Sequence, residues 1–229
     1  MKAMLSRRNL IAAGVALPLL ALPGCTTIGD FGGFGLEDAI RRLLTMSSQR
    51  AFSKLLREEG FFQDEVARIN LPEQLGGSGT ASIASALLRA RPVQTQLLKL
   101  VNDAAAKGAE NAAPVVYSSI RDLSIADAAS IVRGGPNAAT EYLERSIGER
   151  IVEALFPGIG SALRLLDGGI LSRALGSTAG IDFTGLQRDV TRKAATGIWR
   201  AIGREEAAIR ANPQATRDPV LIGVFSLLR

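Results

Sequence analysis

The sequence predicts an all-α protein: a single compact multi-helix domain that follows a signal segment and a glycine-rich tether. Apolar residues recur at spacings of three and four along most of the chain, which is the period of an amphipathic helix. The sequence has no run with apolar residues at every second position, the pattern typical of a strand. Glycine and proline separate the helical stretches and so predict where they end.

The first 24 residues are predicted to form a signal segment. Basic residues precede an apolar run, Leu10–Leu22, which is shorter than the roughly 20 residues of a membrane-spanning helix. Within this segment Ser6–Leu10 resembles a twin-arginine export signal, because Arg7 and Arg8 stand directly before the apolar run. A chance arginine pair in an ordinary secretory signal is the alternative, so the export route stays open.

Cys25 is predicted to carry a lipid. Leu22–Cys25 resembles the lipobox of bacterial lipoproteins, and Cys25 is the only cysteine of the chain. The resemblance implies that fatty acid such as palmitate is attached to Cys25 and anchors the protein in a membrane. Thr26 stands where an inner-membrane retention signal would have aspartate, which favours the periplasmic face of the outer membrane. A free thiol at Cys25 is the alternative.

The helical domain is predicted to occupy residues 36–229, after a lipidated, flexible tether over residues 25–35. Its first half is predicted to contain an irregular stretch over 60–79 and helices over 36–58, 81–90, 93–110 and 113–123. Pro92 and Pro114 are both placed in the first turn of a helix, where a missing amide proton is tolerated.

The second half is predicted to begin with a short helix. Ser124–Asp127 has the form of a capping box that starts this helix, and Gly134 and Gly135 end it. Further helices are predicted over 136–156, 183–211 and 220–228, with Pro157 ending the first and Asp218 capping the last. The stretch 157–175 is interpreted as a loosely packed helix pair or as a membrane-contacting segment.

Composition and charge exclude several classes of protein. The chain has no histidine, which excludes histidine-dependent triads, zinc hydrolases and haem sites. Removal of residues 1–24 takes away three basic residues and no acid, so the net charge falls from +5 to about +2. This small charge does not indicate nucleic-acid binding. The basic stretch Arg188–Lys193 is interpreted as a solvent-exposed helix face.

Several landmarks occur in the order typical of one bacterial family. They are Arg68–Pro72, Asn102 with Ala104 and Ala105, Ser124–Ala128, Gly134–Tyr142, Leu155–Pro157, and Glu205–Glu206 followed by Ile209, Arg210 and Pro213. In these residues the chain resembles the domain-of-unknown-function family 4197 from about residue 36 to residue 228. The resemblance implies an exported, mostly helical envelope protein without an assigned activity.

Glu205 is the candidate buried acid of the longest predicted helix. A helical wheel places it near the middle of an apolar arc formed by Leu186, Val190, Ala194, Ile198, Ile202 and Ile209. A buried carboxylate needs an arginine, backbone donors or a proton, so we interpret Glu205 as half of a structural ion pair, or alternatively as a site carboxylate. Its removal is expected to cost about 3 kcal/mol. Glu206 is predicted to face solvent or its own helix and to matter far less.

Three further residues are candidates for buried or binding roles. Thr140 falls in the apolar arc of its helix and is expected to donate to the carbonyl one turn back, since no base is placed to make it a nucleophile. Tyr142 projects away from that arc and is expected to pack against a second element through its ring. Asn102 is expected to hold loop backbone in place.

The sequence therefore favours a non-enzymatic envelope lipoprotein that binds an apolar ligand or a protein partner. A structural envelope protein without a ligand is the first alternative. The second is a carboxylate-based hydrolase or transferase that pairs Glu205 with Glu144 or Asp127. No cofactor, metal or nucleic acid is expected.

Overall fold

A computed structural model describes residues 35–71, 90–166 and 183–226. These residues form helices and turns without a strand, so the all-α prediction is confirmed. The signal segment, Cys25 with nearly all of the tether, and residues 81–89 of the predicted helix over 81–90 lie outside the described residues. Residues 167–175 of the predicted helix pair or membrane-contacting segment lie outside them as well.

Seven α-helices are found in the described parts of the chain, and a 3-10 turn precedes the last of them. They are α1 (Leu36–Leu55), α2 (Gly60–Gln63), α3 (Arg91–Asp122), α4 (Ala128–Arg133), α5 (Ala138–Leu166), α6 (Phe183–Ala211) and α7 (Pro219–Ser226), with the 3-10 turn over Pro213–Thr216. Helix α6 has the predicted bounds. Helix α1 ends three residues earlier than predicted, shortly before Glu59 adopts a left-handed backbone with φ of 54°.

Two breaks predicted at prolines are wrong, because both prolines lie inside continuous helices. Pro114 lies within α3 and Pro157 within α5. Both prolines are exposed, as are Glu110 and Glu153, the residues one turn earlier whose carbonyls lose their amide partner. The missing hydrogen bonds therefore fall on the solvent-facing side of each helix, while the opposite faces of the two helices stay packed in the core.

The predicted capping box at Ser124 is also wrong. Asp127 is itself the N-cap of α4, because its Oδ1 accepts a hydrogen bond of 2.9 Å from the amide of Ser130. The helix therefore begins at Ala128, and it ends before Gly134 as predicted. Asp218 caps α7 in the same way, accepting from the amides of the second and third helical residues.

The core lies where α3, α5 and α6 cross, with α1 packed on α6 and α3. Helices α3 and α5 approach so closely that a Cβ atom on Gly158 would lie 2.9 Å from the Cα atom of Gly108. Phe52 of α1 and Tyr117 of α3 meet edge to face, with ring centroids 5.8 Å apart. None of the described helices is long and apolar enough to cross a membrane.

Helix α6 is the central helix of this arrangement, since it packs on both α1 and α5 and also contacts α3. Between residues 190 and 206 only Arg192, Thr196 and Arg200 are exposed, and Lys193 and Arg204 are half-buried. The other side chains of this stretch are buried, including Trp199 and Ile202. Nearly the whole circumference of α6 is therefore available for contacts with other elements.

Candidate functional site

The last two turns of α6 carry four charged residues, and together they contact four other parts of the fold. Arg204 reaches the turn that follows α2, and Glu205 reaches α1. Glu206 reaches the start of α5, and Arg210 reaches the end of α4. We call these four residues, Arg204, Glu205, Glu206 and Arg210, the α6 charge cluster.

Glu206 is completely buried and all of its acceptor capacity is used. Its Oε1 accepts from the amide of Ala139 at 3.0 Å and from Nε of Arg210 at 2.8 Å. Its Oε2 accepts from the amide of Thr140 at 2.7 Å and from the Thr140 hydroxyl at 2.6 Å. Glu206 was predicted to face solvent or its own helix, and exposure to solvent is wrong, because α6 is packed on more faces than a single apolar arc can show. It does pair with Arg210 of its own helix, but its other partners lie in α5.

The carboxylate of Glu206 caps a helix other than its own. Ala139 and Thr140 lie in the first turn of α5, where backbone amides have no partner within the helix. A negative charge at this end also interacts favourably with the helix dipole. Asn137 adds a second contact between the start of α5 and α6. Its side-chain amide is oriented so that both its oxygen and its nitrogen have hydrogen-bond partners, and Nδ2 then donates to the carbonyl of Gly203 at 2.9 Å.

Arg210 carries the matching positive charge to the end of α4. Its Nη1 donates to the carbonyl of Val132 at 2.9 Å and its Nη2 donates to the carbonyl of Ile131 at 3.1 Å. The guanidinium also lies 4.8 Å from the ring centroid of Phe225 in α7. The buried ion pair of Glu206 and Arg210 therefore joins the end of α4 to the start of α5.

Glu205 is buried as predicted, with 5% of its surface exposed. It forms the expected ion pair, but its nearer partner is a lysine: Oε1 lies 2.6 Å from Nζ of Lys54 in α1 and 3.5 Å from Nε of Arg204 in its own helix. The side chain of Lys54 is 48% exposed, so its ammonium group keeps contact with water. The pair therefore lies at the edge of the core, and we expect it to stabilise the fold only modestly.

Arg204 forms a two-point ion pair with Asp64, with distances of 2.9 Å and 2.7 Å to the two carboxylate oxygens. Asp64 Oδ1 also accepts from the amides of Val66 and Ala67, which shapes the turn after α2. Burial by itself would raise the pKa of Asp64, but the hydrogen bonds from Arg204 and from these amides outweigh it and lower the pKa. Asp64 is therefore held charged.

Thr140 does not donate to the carbonyl one turn back, and that prediction is wrong. Its hydroxyl donates to Glu206 instead, because a buried carboxylate is the stronger acceptor. Tyr142 is half-buried against the core, and its hydroxyl donates to the carbonyl of Ser124 at 2.6 Å. The two residues lie in the same helix and face different neighbours, so the structure does not bring them into one site.

Asn102 holds loop backbone, as predicted. Its Oδ1 accepts from the amide of Ile69 at 2.8 Å, and its Nδ2 donates to the carbonyls of Ile69 at 3.0 Å and Leu98 at 2.7 Å. Both backbone groups of Ile69 are thus satisfied by one side chain of α3. This two-point contact fixes the segment over 67–70 against the helical core.

The acids of the hydrolase alternative are not brought together. Glu205 pairs with Lys54 and Arg204, and Asp127 caps α4. Glu144 lies in α5, where burial, followed by the charge of Glu141, raises its pKa. In the described residues no hydrogen bond or ion pair links these three acids, and no cluster of metal-ligating side chains is found.

Three residues with clear structural roles escape the analysis of the sequence: Glu206, Arg210 and Asp64. One available signal is that Glu206 and Arg210 stand four residues apart with the acid first, which favours an ion pair along a helix. That spacing does not reveal contacts with α4 and α5. Asp64 gives no comparable signal, since its partner lies 140 residues later in the chain.

Three grooves on the described surface are open to solvent rather than enclosed. The first, of about 570 Å³, lies beside the joint of α4 and α5. The second, of about 400 Å³, lies between the 66–70 segment and α6, and the third, of about 740 Å³, runs along α5. All three are bordered by α6, and Arg192 lines both the second and the third. Within the α6 charge cluster, Arg210 holds the end of α4 beside the first groove, and Arg204 holds the turn before the 66–70 segment of the second.

Comparison with known proteins gives one match. The protein family described as "Protein of unknown function (DUF4197)" matches residues 33–226, which is most of the chain and covers all of the α6 charge cluster. No curated protein and no solved structure matches the chain.

Removal of the buried acid is expected to reverse the ranking predicted from the sequence. Glu206→Ala removes the counter-charge of Arg210 and leaves its Nε and two helix amides without an acceptor. We therefore expect it to lower the free energy of unfolding by roughly 3–5 kcal/mol. Glu205→Ala frees a lysine that is already half in water, and we expect a loss of about 1 kcal/mol. Urea unfolding followed by circular dichroism measures both.

Glu206→Gln is the matched control for volume. It keeps the shape of the side chain but places an NH₂ group opposite hydrogen-bond donors. We therefore expect it to lower the free energy of unfolding nearly as much as Glu206→Ala. Equal and small losses for all three variants would contradict the geometry of the α6 charge cluster.

Proposed function

Since the chain belongs to the DUF4197 family of proteins of unknown function, we propose that it is a non-enzymatic lipoprotein of the bacterial cell envelope that acts by binding. Its helical body holds an open apolar groove at the joint of α4 and α5, which receives an apolar ligand or apolar side chains of a protein partner. The observation that carries this proposal is that the lining of this groove is largely apolar and contains no acid, while Arg210, its link to the α6 charge cluster, is paired with Glu206.

The state of the buried acids supports a role without catalysis. A general acid or base must reach the proton that it transfers, within hydrogen-bond distance of the substrate. Glu206 has no exposed surface and already accepts four hydrogen bonds. Glu205 is buried beside Lys54. Both carboxylates therefore serve folding and are closed to a substrate.

The lining of the groove supports an apolar occupant. Its volume of about 570 Å³ lies within the range of small-ligand sites. The apolar lining residues are Val132, Pro136, Ala207, Ala211 and Phe225. Arg133 and Arg210 also line the groove. The charge of Arg210 is balanced by Glu206, and Arg133 is an exposed side chain at the end of α4.

The groove is bordered by the beginning of the Gly134–Tyr142 run, one of the landmarks in which the chain resembles its family. Gly134, Gly135 and Pro136 form its rim, directly before α5 begins. A Cβ atom on Gly135 would meet no atom within 4 Å, so the fold itself leaves this position open. Backbone without a side chain allows a ligand to approach closely.

A structural envelope protein without a ligand is the second candidate. It is favoured by the continuous hydrophobic core, which extends from Ala39 in α1 to Phe225 in α7. All three grooves described above are open rather than enclosed. A solid core of this kind is sufficient for a role that depends on stability alone.

The lipid anchor is tested by Cys25→Ala. We expect this variant to lose incorporation of radiolabelled palmitate, because the thiol is the atom to which the lipid is attached. Thr26→Ala, one residue later, should keep full labelling. Equal labelling of Cys25→Ala and the parent protein would contradict the lipoprotein assignment without bearing on the groove.

The binding role is tested by blocking the groove. Ala211→Arg places a long charged side chain in it, whereas Ala208→Arg changes an exposed alanine of the same helix outside the lining. We expect lipids or proteins that co-purify after native extraction to fall several-fold with Ala211→Arg and to stay unchanged with Ala208→Arg, as measured by mass spectrometry. Unchanged recovery with Ala211→Arg would contradict the assignment of this groove as the binding site. If nothing co-purifies with the parent protein, the structural candidate is favoured.

A further inference from the structure

The second groove, between the 66–70 segment and α6, has a different chemistry. Its volume is about 400 Å³, and four basic side chains line it together with one acid. The basic residues are Arg68, Arg192, Lys193 and Arg200, and the acid is Asp189. We call it the basic groove.

One wall of the basic groove is the exposed stripe of α6. Arg192, Thr196 and Arg200 follow each other at intervals of four residues, so they lie along one face and span about 12 Å of the helix. These are the three exposed residues between positions 190 and 206. A helix that is otherwise buried therefore exposes mainly hydrogen-bond donors on this side.

The opposite wall is backbone that the fold holds in place at three points. Asp64 and its pairing with Arg204 shape the turn before this segment, and Asn102 binds both backbone groups of Ile69. At Gly197 the wall lies so close to α6 that a Cβ atom would meet the carbonyl oxygen of Ala67 at 2.7 Å. The groove is therefore formed before any ligand arrives, which lowers the entropic cost of binding.

The charges of the basic groove are poorly balanced by the protein. Lys193 pairs with Asp189 at 2.8 Å, and this uses the acid of the groove. Among the described residues no carboxylate lies within 4 Å of the guanidinium nitrogens of Arg68, Arg192 or Arg200. Arg68 stacks on the ring of Phe62, with 4.5 Å from Cζ to the ring centroid, which leaves its hydrogen-bond donors available.

We propose that the basic groove binds a phosphate group. Three guanidinium groups offer planar sets of donors that match phosphate oxygens. The hydroxyl of Thr196 already donates to the carbonyl of Arg192 at 3.0 Å, so the arginines supply the donors of this face. The phosphate is either free in solution or part of the headgroup of an anionic lipid, and both sources present the same oxygens. The site is distinct from the apolar groove beside α4 and does not depend on the proposed lipid at Cys25.

Phosphorus NMR of the full chain in a neutral detergent tests the proposal. Inorganic phosphate serves as the free source, and glycerophosphoglycerol serves as the soluble headgroup of an anionic lipid. We expect the phosphorus resonance of at least one of them to broaden on addition of the protein. In the double variant Arg192→Gln with Arg200→Gln, the dissociation constant of that ligand should rise at least about tenfold.

A matched variant separates a site from general electrostatic attraction. Arg57→Gln with Arg121→Gln removes the same charge from exposed positions that line none of the three grooves, and should leave binding unchanged. Thermal unfolding confirms that the exposed substitutions keep the fold. Broadening by phosphate alone assigns the free source, and broadening by the headgroup assigns the lipid source. The proposal is overturned if neither titrant broadens or if both double variants weaken binding equally.

Discussion

The carboxylate of Glu206 is where the parts of this fold are joined. It lies in the middle of the protein with no exposed surface, accepts two amides and a hydroxyl from the start of α5, and pairs with Arg210. Arg210 in turn holds two carbonyls at the end of α4. A buried charge is costly unless it is paired and fully hydrogen-bonded. The arrangement is therefore stable only when α4, α5 and α6 are all in place.

The same constraint explains why the surface grooves are located where they are. With Glu206 and Arg210 fixed, the sharp connection between α4 and α5 cannot close onto α6, and an apolar groove is left beside Phe225. On the other side of α6, Arg204 and Asp64 hold the turn that forms one wall of the basic groove. Charges inside the protein thus position two surfaces that are open to ligands.

The sequence was sufficient to predict the helices that bury one face, because periodicity reports which residues point to the core. Prediction from the sequence failed for prolines on exposed helix faces and for a helix that is buried on several faces. Pro114 and Pro157 are tolerated within helices because the carbonyls that they leave without an amide partner belong to exposed residues. Glu206 was misjudged because α6 is buried on several faces, so two adjacent glutamates are both covered.

The candidate site residues likewise divide into those whose role the sequence predicts and those whose partners it does not reveal. Asn102 could be predicted to hold a loop, since a polar amide in an alanine-rich helix needs nearby backbone partners. The partner of Thr140 lies 66 residues away, and no local pattern encodes that pairing. Likewise the exposed arginines of α6 appear in the sequence as a solvated face. Only the position of the 66–70 segment shows that they line a groove.

Residue-resolved hydrogen exchange tests most directly whether Glu206 is the joint of the fold. The amides of Ala139 and Thr140 should exchange only on global unfolding, because the carboxylate binds them in the core. The first-turn amides of α1 provide an internal reference, since Gly35 gives that helix no side-chain cap. Protection of Ala139 and Thr140 equal to that of core amides such as Leu143 is the expected result. Exchange as fast as at the start of α1 would contradict the account.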